Sequence, residues 1–296
     1  MEEGLSNWGR WDANDELGTL NLITAAKRRE AAALVKDGVS VSLGRDADTE
    51  KAVDNPAPYE QKMLVVRTAV ATDRIAVNFH GYAHTYLDAL AHHFLDGKMY
   101  NGFSRDDNVT MEGGAKKGSV AAMQNGITTR GILVDVPLLR KVGFLEPGAA
   151  IGVTDLEAWE RNANVKIGAG DAMLIRTGRW VRRRESGPWE VNLRAAGLDP
   201  SVIPWLRRRD VALLGSESAL DAVPLPAGHQ ITNADDYLPV HNFVLVALGM
   251  PVIDNCDFDA VATAAAARRR WQFMLSVAPL RIGTGTGSPV NPLAMF

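Results

Sequence analysis

The sequence is short of several things, and each absence narrows its chemistry. It has one cysteine, Cys256, so the chain forms no disulfide within itself and offers no thiolate set for zinc. It has no basic surplus: 32 Lys and Arg stand against 35 Asp and Glu, for a formal net charge of −3. That balance argues against a surface for nucleic acid or anionic lipid. No apolar run reaches the roughly 18 residues a membrane-spanning helix needs, and one of the longest, 242–253, is broken by Gly249 and Pro251. The opening residues Met1 to Ser6 lack the basic-then-apolar pattern of a secretion signal, so the expected location is the cytoplasm. There is no internal repeat and no low-complexity linker. What remains is 296 residues, 46% hydrophobic and 23% charged, an ordinary globular composition with nothing to justify a cut into domains.

Thr24 followed by 25–35 reads as an N-capped helix ending near Gly38. Strands are expected at 39–43, 64–72, 131–136, 172–177 and 211–215, from alternation or β-branched runs bounded by turn residues. Thr154 with Glu157 three residues on resembles a capping box, and Asp199-Pro200 opens another short helix. The segment 241–248 is apolar almost throughout and, as a helix, would be buried on most sides. The alanine-rich stretch 260–267 reads as a helix with a basic end at Arg268 to Arg270. The mixture predicts an α/β or α+β chain in one domain.

Histidine is scarce and unevenly placed. There are six, and four of them, His80, His84, His92 and His93, fall within fourteen residues. His80, His84, Asp88 and His92 recur every four residues; on a helix they would form one slowly drifting stripe, and on irregular backbone they can still converge. Imidazoles with one carboxylate suit zinc, manganese or iron, and an open position on such an ion activates water. His93 breaks the four-residue step and reads as a neighbour.

The stretch 85–94, Thr-Tyr-Leu-Asp-Ala-Leu-Ala-His-His-Phe, resembles the His-x-Gly-Thr-His-x-Asp-x-Pro-x-His-Phe signature of the cyclase family that includes bacterial kynurenine formamidase and isatin hydrolase. The segments 7–11 and 16–21 resemble the opening of its longer, actinobacterial-type members. Residues 170–178 are similar to its strand and turn before the substrate pocket, and 278–292 to its C-terminal strand and glycine loop. The resemblance implies a swivelling β/β/α cyclase-like single domain over 1–296, a mixed sheet with flanking helices, and an N-terminal segment 1–23 that covers the pocket. It also implies a small-molecule substrate and a homodimer or homotetramer.

Aligned on Asp88, the signature's two ligand histidines fall at Tyr82 and Tyr86, its glycine at His84 and its proline at Leu90; Asp88 and His92 match directly. Tyrosine, with a pKa near 10, is a poor zinc ligand unless ionised. Two readings stay open. His80 and His84 take over the vacated ligand role beside Asp88, with manganese or zinc. Alternatively the metal is gone, and His84, His92, Tyr82 and Tyr86 form an acid–base pocket. The family further implies that His241 and Asp254 line the same pocket and help bind a cation, with Asp254 standing where glutamate is usual.

Glu217, in a polar loop after an apolar strand, is a pocket candidate, and Trp8 and Trp11 are candidates for covering an aromatic or cyclic substrate. The alternatives are a cap by Asp254 for a helix starting near Phe258, a solvated Glu217 and core tryptophans. Cys256 reads as a small buried residue.

Three functions compete. The first is hydrolysis of a carbon–nitrogen or lactone bond in a small cyclic or aryl substrate, with His92 as base or proton shuttle and Asp88 as ligand or orienter. The second is a metal-independent cyclase, dehydratase or isomerase using tyrosine and histidine. The third is a small-molecule-binding protein without turnover. The tyrosines disfavour kynurenine formamidase activity itself.

Overall fold

The computed structural model describes residues 4–229 and 238–296. Nine strands make the main sheet: β1 Ser40–Ser42, β2 Tyr86–Asp88, β3 Ile127–Asp135, β4 Ala172–Arg176, β5 Leu213–Ser216, β6 Val252–Asp254, β7 Gln272–Val277, β8 Gly287–Pro289 and β9 Leu293–Met295. Their spatial order is β1-β9-β7-β3-β4-β5-β6-β2-β8. The central four, β3 to β6, run parallel, and every other pairing is antiparallel. The molecule is a single α/β domain with a mixed sheet and flanking helices. The central strands are buried on both faces, which is why 132–134 and 172–175 are apolar without alternation.

Local chemistry explains most of the flanking helices. In α1, Ala25–Ala32, Thr24 is the N-cap and its side chain accepts from Lys27 N. The next helix starts earlier than the Thr154 reading: α2, Val153–Ala163, is capped by Gly152, whose N–H donates to Asp155 Oδ2 at 3.0 Å. The acid that closes this turn is Asp155 rather than Glu157. Arg179–Ser186 forms α3, Ile203–Arg209 forms α4 behind an Asp199 cap, and Asp259–Arg268 forms α6. Between α4 and α6 lies α5, Pro239–Phe243, which continues as a π turn over Val244–Leu248. All five residues of that turn are buried, as its apolar sequence requires.

One expected strand became two. The run 64–72 lies in an exposed hairpin, Glu60–Val66 against Ala71–Ala76, outside the main sheet. The turn between them is Arg67-Thr68-Ala69-Val70, closed by Arg67 N donating to Val70 O at 2.9 Å.

The N-terminal segment docks on the π turn. Asn7 N donates to Ala247 O at 2.9 Å, Asn7 Nδ2 to Leu248 O at 2.9 Å and Trp8 Nε1 to Val246 O at 2.7 Å. These bonds satisfy carbonyls that a helix end leaves without partners. Close approach there demands glycine on both sides: Gly18 and Gly249 have φ +58° and +63°, and a Cβ on Gly18 would sit 1.8 Å from Gly249 O. No helix among the described residues is long and apolar enough to cross a membrane.

Candidate active site

The strand β2 carries Tyr86 and Asp88 on one face, with Leu87 buried on the other. Its antiparallel register sets Tyr86 opposite Asp254 of β6, and Tyr86 Oη donates to Asp254 Oδ2 at 3.0 Å. Past β2 the chain turns tightly, with His92 N bonded to Ala89 O, and this returns His92 Nε2 to 3.5 Å from Asp88 Oδ1. His80, on the irregular backbone before β2, brings Nδ1 to 3.3 Å from the same oxygen and contacts Thr286 Oγ1 through Nε2 at 3.2 Å. The His80 and His92 rings stack at 3.9 Å and 14°. His241 comes from α5 and places Nε2 3.2 Å from Asp88 Oδ2, with Nδ1 3.9 Å from Asp254 Oδ2. Its helix is anchored by Asp221, whose two oxygens accept from Val240 N and His241 N at 2.8 and 3.0 Å.

His80, Tyr86, His92, His241 and Asp254 line a cleft of about 270 Å³ together with Gly81, Tyr82, His93, Ala219 and Leu238, with Asp88 just behind them. Asp88 and Asp254 are fully buried at its floor, and His241 nearly so. Burial opposes ionisation of Asp88, but His92, His241 and His80 outweigh it and hold the carboxyl well below the usual range. Burial would likewise neutralise His241, yet Asp254, Asp88 and Asp221 outweigh it and raise its pKa to about 9. For His92 burial wins over Asp88, with His80 and His241 adding to the fall, and the pKa drops to about 4. Burial also pushes the Asp254 carboxyl up to about 7, and burial with the two nearby carboxylates pushes the Tyr86 phenol well above its usual value. Tyr86 is therefore a neutral donor, committed to Asp254.

Three sets of side chains lie close enough to share a cation: His92 with His93 and His241, His80 with Asp88 and His92, and Asp88 with His241 and Asp254. The last set differs from the others. Each of its members leaves a buried polar atom without a hydrogen bond, namely Asp88 Oδ1, His241 Nδ1 and Asp254 Oδ1. Buried groups ordinarily find partners, so these atoms fit a cation that takes mixed nitrogen and oxygen ligands, such as Zn²⁺ or Mn²⁺.

Of the candidates read from the sequence, His80, Tyr82, Tyr86, Asp88, His92, His241 and Asp254 meet around this cleft. His84 does not. It faces a separate cavity beside Asp54 and Asn55, because the segment before β2 is not helical and the four-residue stripe never forms. Glu217 is neither solvated nor among the cleft-lining residues: its Oε2 accepts from Thr177 N, Thr177 Oγ1, Gly178 N and Arg179 N at the start of α3. Trp8 and Trp11 do not line the cleft either. Trp8 braces the π turn behind His241, and Trp11 lies under the Arg10 guanidinium. Asp254 caps no helix: Phe258 stands at the N-cap of α6 without a side-chain cap bond, and Asp257 Oδ1, one residue earlier, accepts from Asp259 N.

The sequence reading passed over His93, which lines the cleft, hydrogen-bonds Asn242 and packs 4.5 Å from the His241 ring. Its adjacency to His92 was the available signal. It also passed over the scaffold of the 80–84 segment. Asn255 Nδ2 donates to Gly81 O at 2.7 Å and His84 O at 3.0 Å, and Arg179 Nη1 donates to Asn255 Oδ1 at 2.8 Å while Nη2 donates to Tyr82 O. No local pattern marks such a role.

Comparison with known proteins gives a consistent result. The sequence profile of the putative cyclase family matches residues 26–220. A crystal structure described as a novel cyclase is similar at 27% identity and TM-score 0.86, over 99% of this chain and 98% of that one. Isatin hydrolase A from Labrenzia aggregata, bound to benzyl benzoate, is similar at 18% identity and TM-score 0.60, over 90% and 95% of the two chains. Isatin hydrolase A from Ralstonia solanacearum follows at 18% and 0.58, over 86% and 91%. No curated protein sequence matches.

Proposed function

The chain belongs to the putative cyclase family, and from that premise we propose that it is a metal-assisted hydrolase of an amide, lactam or lactone bond in a small cyclic or aryl substrate. One observation carries this reading: three buried residues with an unpartnered atom each, Asp88, His241 and Asp254, stand beside a partly exposed His92 at the floor of an open cleft. The structural likeness to isatin hydrolases supports the substrate class.

Asp88, His241 and Asp254 would hold the ion. A bound Zn²⁺ or Mn²⁺ supplies Lewis acidity toward a carbonyl and a water molecule. The chain's own residues do the rest. His92, kept neutral at physiological pH by burial, accepts the proton of the attacking water at Nε2. The water oxygen bonds to the carbonyl carbon, the carbon–nitrogen or carbon–oxygen bond breaks, and the proton passes from His92 to the leaving atom. His80, stacked on His92, fixes the plane of that ring. Tyr86 holds Asp254 in one orientation through its 3.0 Å hydrogen bond, and Tyr82 walls the cleft where substrate enters. These roles move His80 from ligand to positioning group and leave His84 out.

Chelation tests the reading. Protein treated with a chelator should lose turnover of aryl formamides, isatin-like lactams and aryl lactones, and Mn²⁺ or Zn²⁺ should restore it. The thermal midpoint should also rise on readdition, by the stabilisation any ligand of the folded state confers, about 2.7 kcal/mol at a hundredfold excess over its dissociation constant. Full turnover in metal-stripped protein would reject this mechanism in favour of metal-free acid–base chemistry by the same tyrosines and histidines. Turnover by His92→Ala at the wild-type rate would remove His92 from the chemistry.

A further inference from the structure

We propose that the cavity behind residues 79–84 is a second subsite, built to take a flat, mostly apolar group bearing one N–H or O–H donor. It has a volume of about 70 Å³ and shares His80, Gly81 and Tyr82 with the histidine cleft as a common wall. On its own side it presents Pro56, Ala57, Phe79, Ala83 and His84. Gly81 is exposed within that wall, and a Cβ there would meet no atom within 4 Å.

His84 supplies the specificity. Its side chain is 93% buried, being 7% exposed, and Nε2 has no hydrogen-bond partner. Burial, against the opposing pull of the Ala57 backbone and Asp48, lowers its pKa and favours the neutral imidazole. A neutral imidazole that donates through one nitrogen offers a lone pair at the other. A buried acceptor without a partner is costly to maintain, and a ligand donor removes that cost.

The surroundings select the rest of the ligand. Tyr59 packs edge-on against the His84 ring at 6.2 Å and helps hold it in place. Phe79 leads toward the cleft, 4.4 Å from the His80 ring and 5.7 Å from Tyr86. Asp54, the nearest carboxylate lining the cavity, is engaged by Arg183 at 2.6 and 3.0 Å and lies 3.9 Å from Arg179. Its charge is already matched, which favours a neutral donor over a cation. The geometry thus points to a substrate whose scissile bond lies in the cleft and whose donor-bearing ring reaches past Gly81 to His84. The scissile half of that statement rests on the hydrolase reading; the subsite itself does not.

The test uses the full-length protein with ¹⁵N-labelled histidine and two probes of nearly equal shape, phenol and toluene. Phenol should shift the His84 Nε2 resonance saturably while toluene leaves it in place. His84→Leu should weaken phenol binding about tenfold, the scale of one buried hydrogen bond, with Mn²⁺ affinity unchanged; His84→Gln, which keeps an acceptor, should retain most of it. An Nε2 resonance unmoved by phenol, or an equal response to toluene, would overturn the subsite. A normal phenol response in protein that hydrolyses nothing with Mn²⁺ or Zn²⁺ present would keep the subsite and overturn the hydrolase reading instead.

Discussion

Two aspartates in this molecule are equally buried and differently treated. Asp88 and Asp171 both have zero exposure. Asp171 is saturated: Oδ1 accepts from Lys27 Nζ and Arg130 Nε at 2.8 Å each, and Oδ2 from Arg130 Nη2 at 2.6 Å and Gly168 N at 2.8 Å. Asp88 faces imidazoles alone, at 3.2 to 3.5 Å, and its Oδ1 makes no hydrogen bond. Burial of a charge is therefore no mark of function by itself. What separates the two is whether the protein supplies every partner the charge needs. At Asp171 it does, and the residue ties the start of β4 to α1 and β3. At Asp88 it stops short, beside an open cleft and within a set of residues close enough to share a cation.

The sharpest way to break this contrast is to neutralise each aspartate in turn. Asp88→Asn should lower turnover roughly a thousandfold, the scale of several kcal/mol of lost metal-derived stabilisation. Its unfolding free energy should change less than that of Asp171→Asn. Asp171→Asn leaves Lys27 and Arg130 with the half-exposed Glu30 as their remaining carboxylate and should cost about 3 kcal/mol of stability, with normal turnover per folded molecule. Urea unfolding alongside single-turnover kinetics would show it. Unfolding of the Asp88 variant, or loss of turnover in folded Asp171 variant, would erase the distinction.

A smaller effect is expected one layer out, at Asn255. This residue ties the carbonyls of Gly81 and His84 to Arg179, and so fixes the segment that carries His80 and Tyr82. Asn255→Ala should reduce kcat by ~10–100-fold, the range seen when groups that orient a site are removed, with metal affinity falling in the same direction. A drop in thermal midpoint without any kinetic change would make Asn255 part of the scaffold in the way Asp171 is.

The smallest effect concerns pH and Glu217, a buried carboxyl away from the cleft. Burial, against the opposing pull of Arg176, raises its pKa from 4.5 to about 7. The folded state thus binds this proton more tightly than the unfolded chain does. The resulting stability is present in full below about pH 4.5 and is lost as pH rises through about 7. Glu217→Gln cannot lose a proton, so its thermal midpoint should gain on the wild type as pH climbs from 4.5 past 7. A constant difference across that range would show that the carboxyl titrates normally.

Much of the scaffold was legible in local pattern. Thr24 caps α1, Asp199 opens the turn before α4, and the apolar runs at 131–136, 172–177 and 211–215 became the parallel centre of the sheet. Cys256 is buried, in keeping with its reading as a small buried residue. The candidate site was legible only as a neighbourhood. Spacing put His80, His84 and His92 on an equal footing, and equal spacing means a shared face only where backbone is regular. Here it is not: Gly81 takes φ +155°, a conformation open to glycine alone, and only His80 reaches Asp88 while His84 stays in the neighbouring cavity. The strand read at 170–178 forms as β4, and Asp171 just before it makes the saturated corner.

By itself the sequence determined the kind of chemistry available: imidazole and carboxylate in place of thiolate, concentrated around residues 80–93, in a chain without the charge or the apolar runs for nucleic acid or membrane. The tertiary structure decided which of those groups meet. His241 and Asp254 reach Asp88 and Tyr86 through the register of β6 against β2 and the anchoring of α5 by Asp221. The physical reason is range. Local pattern constrains residues a turn or two apart, whereas these partners are 153 and 168 positions apart in the chain and are brought together by hydrogen-bonded registers and packing that involve the whole domain.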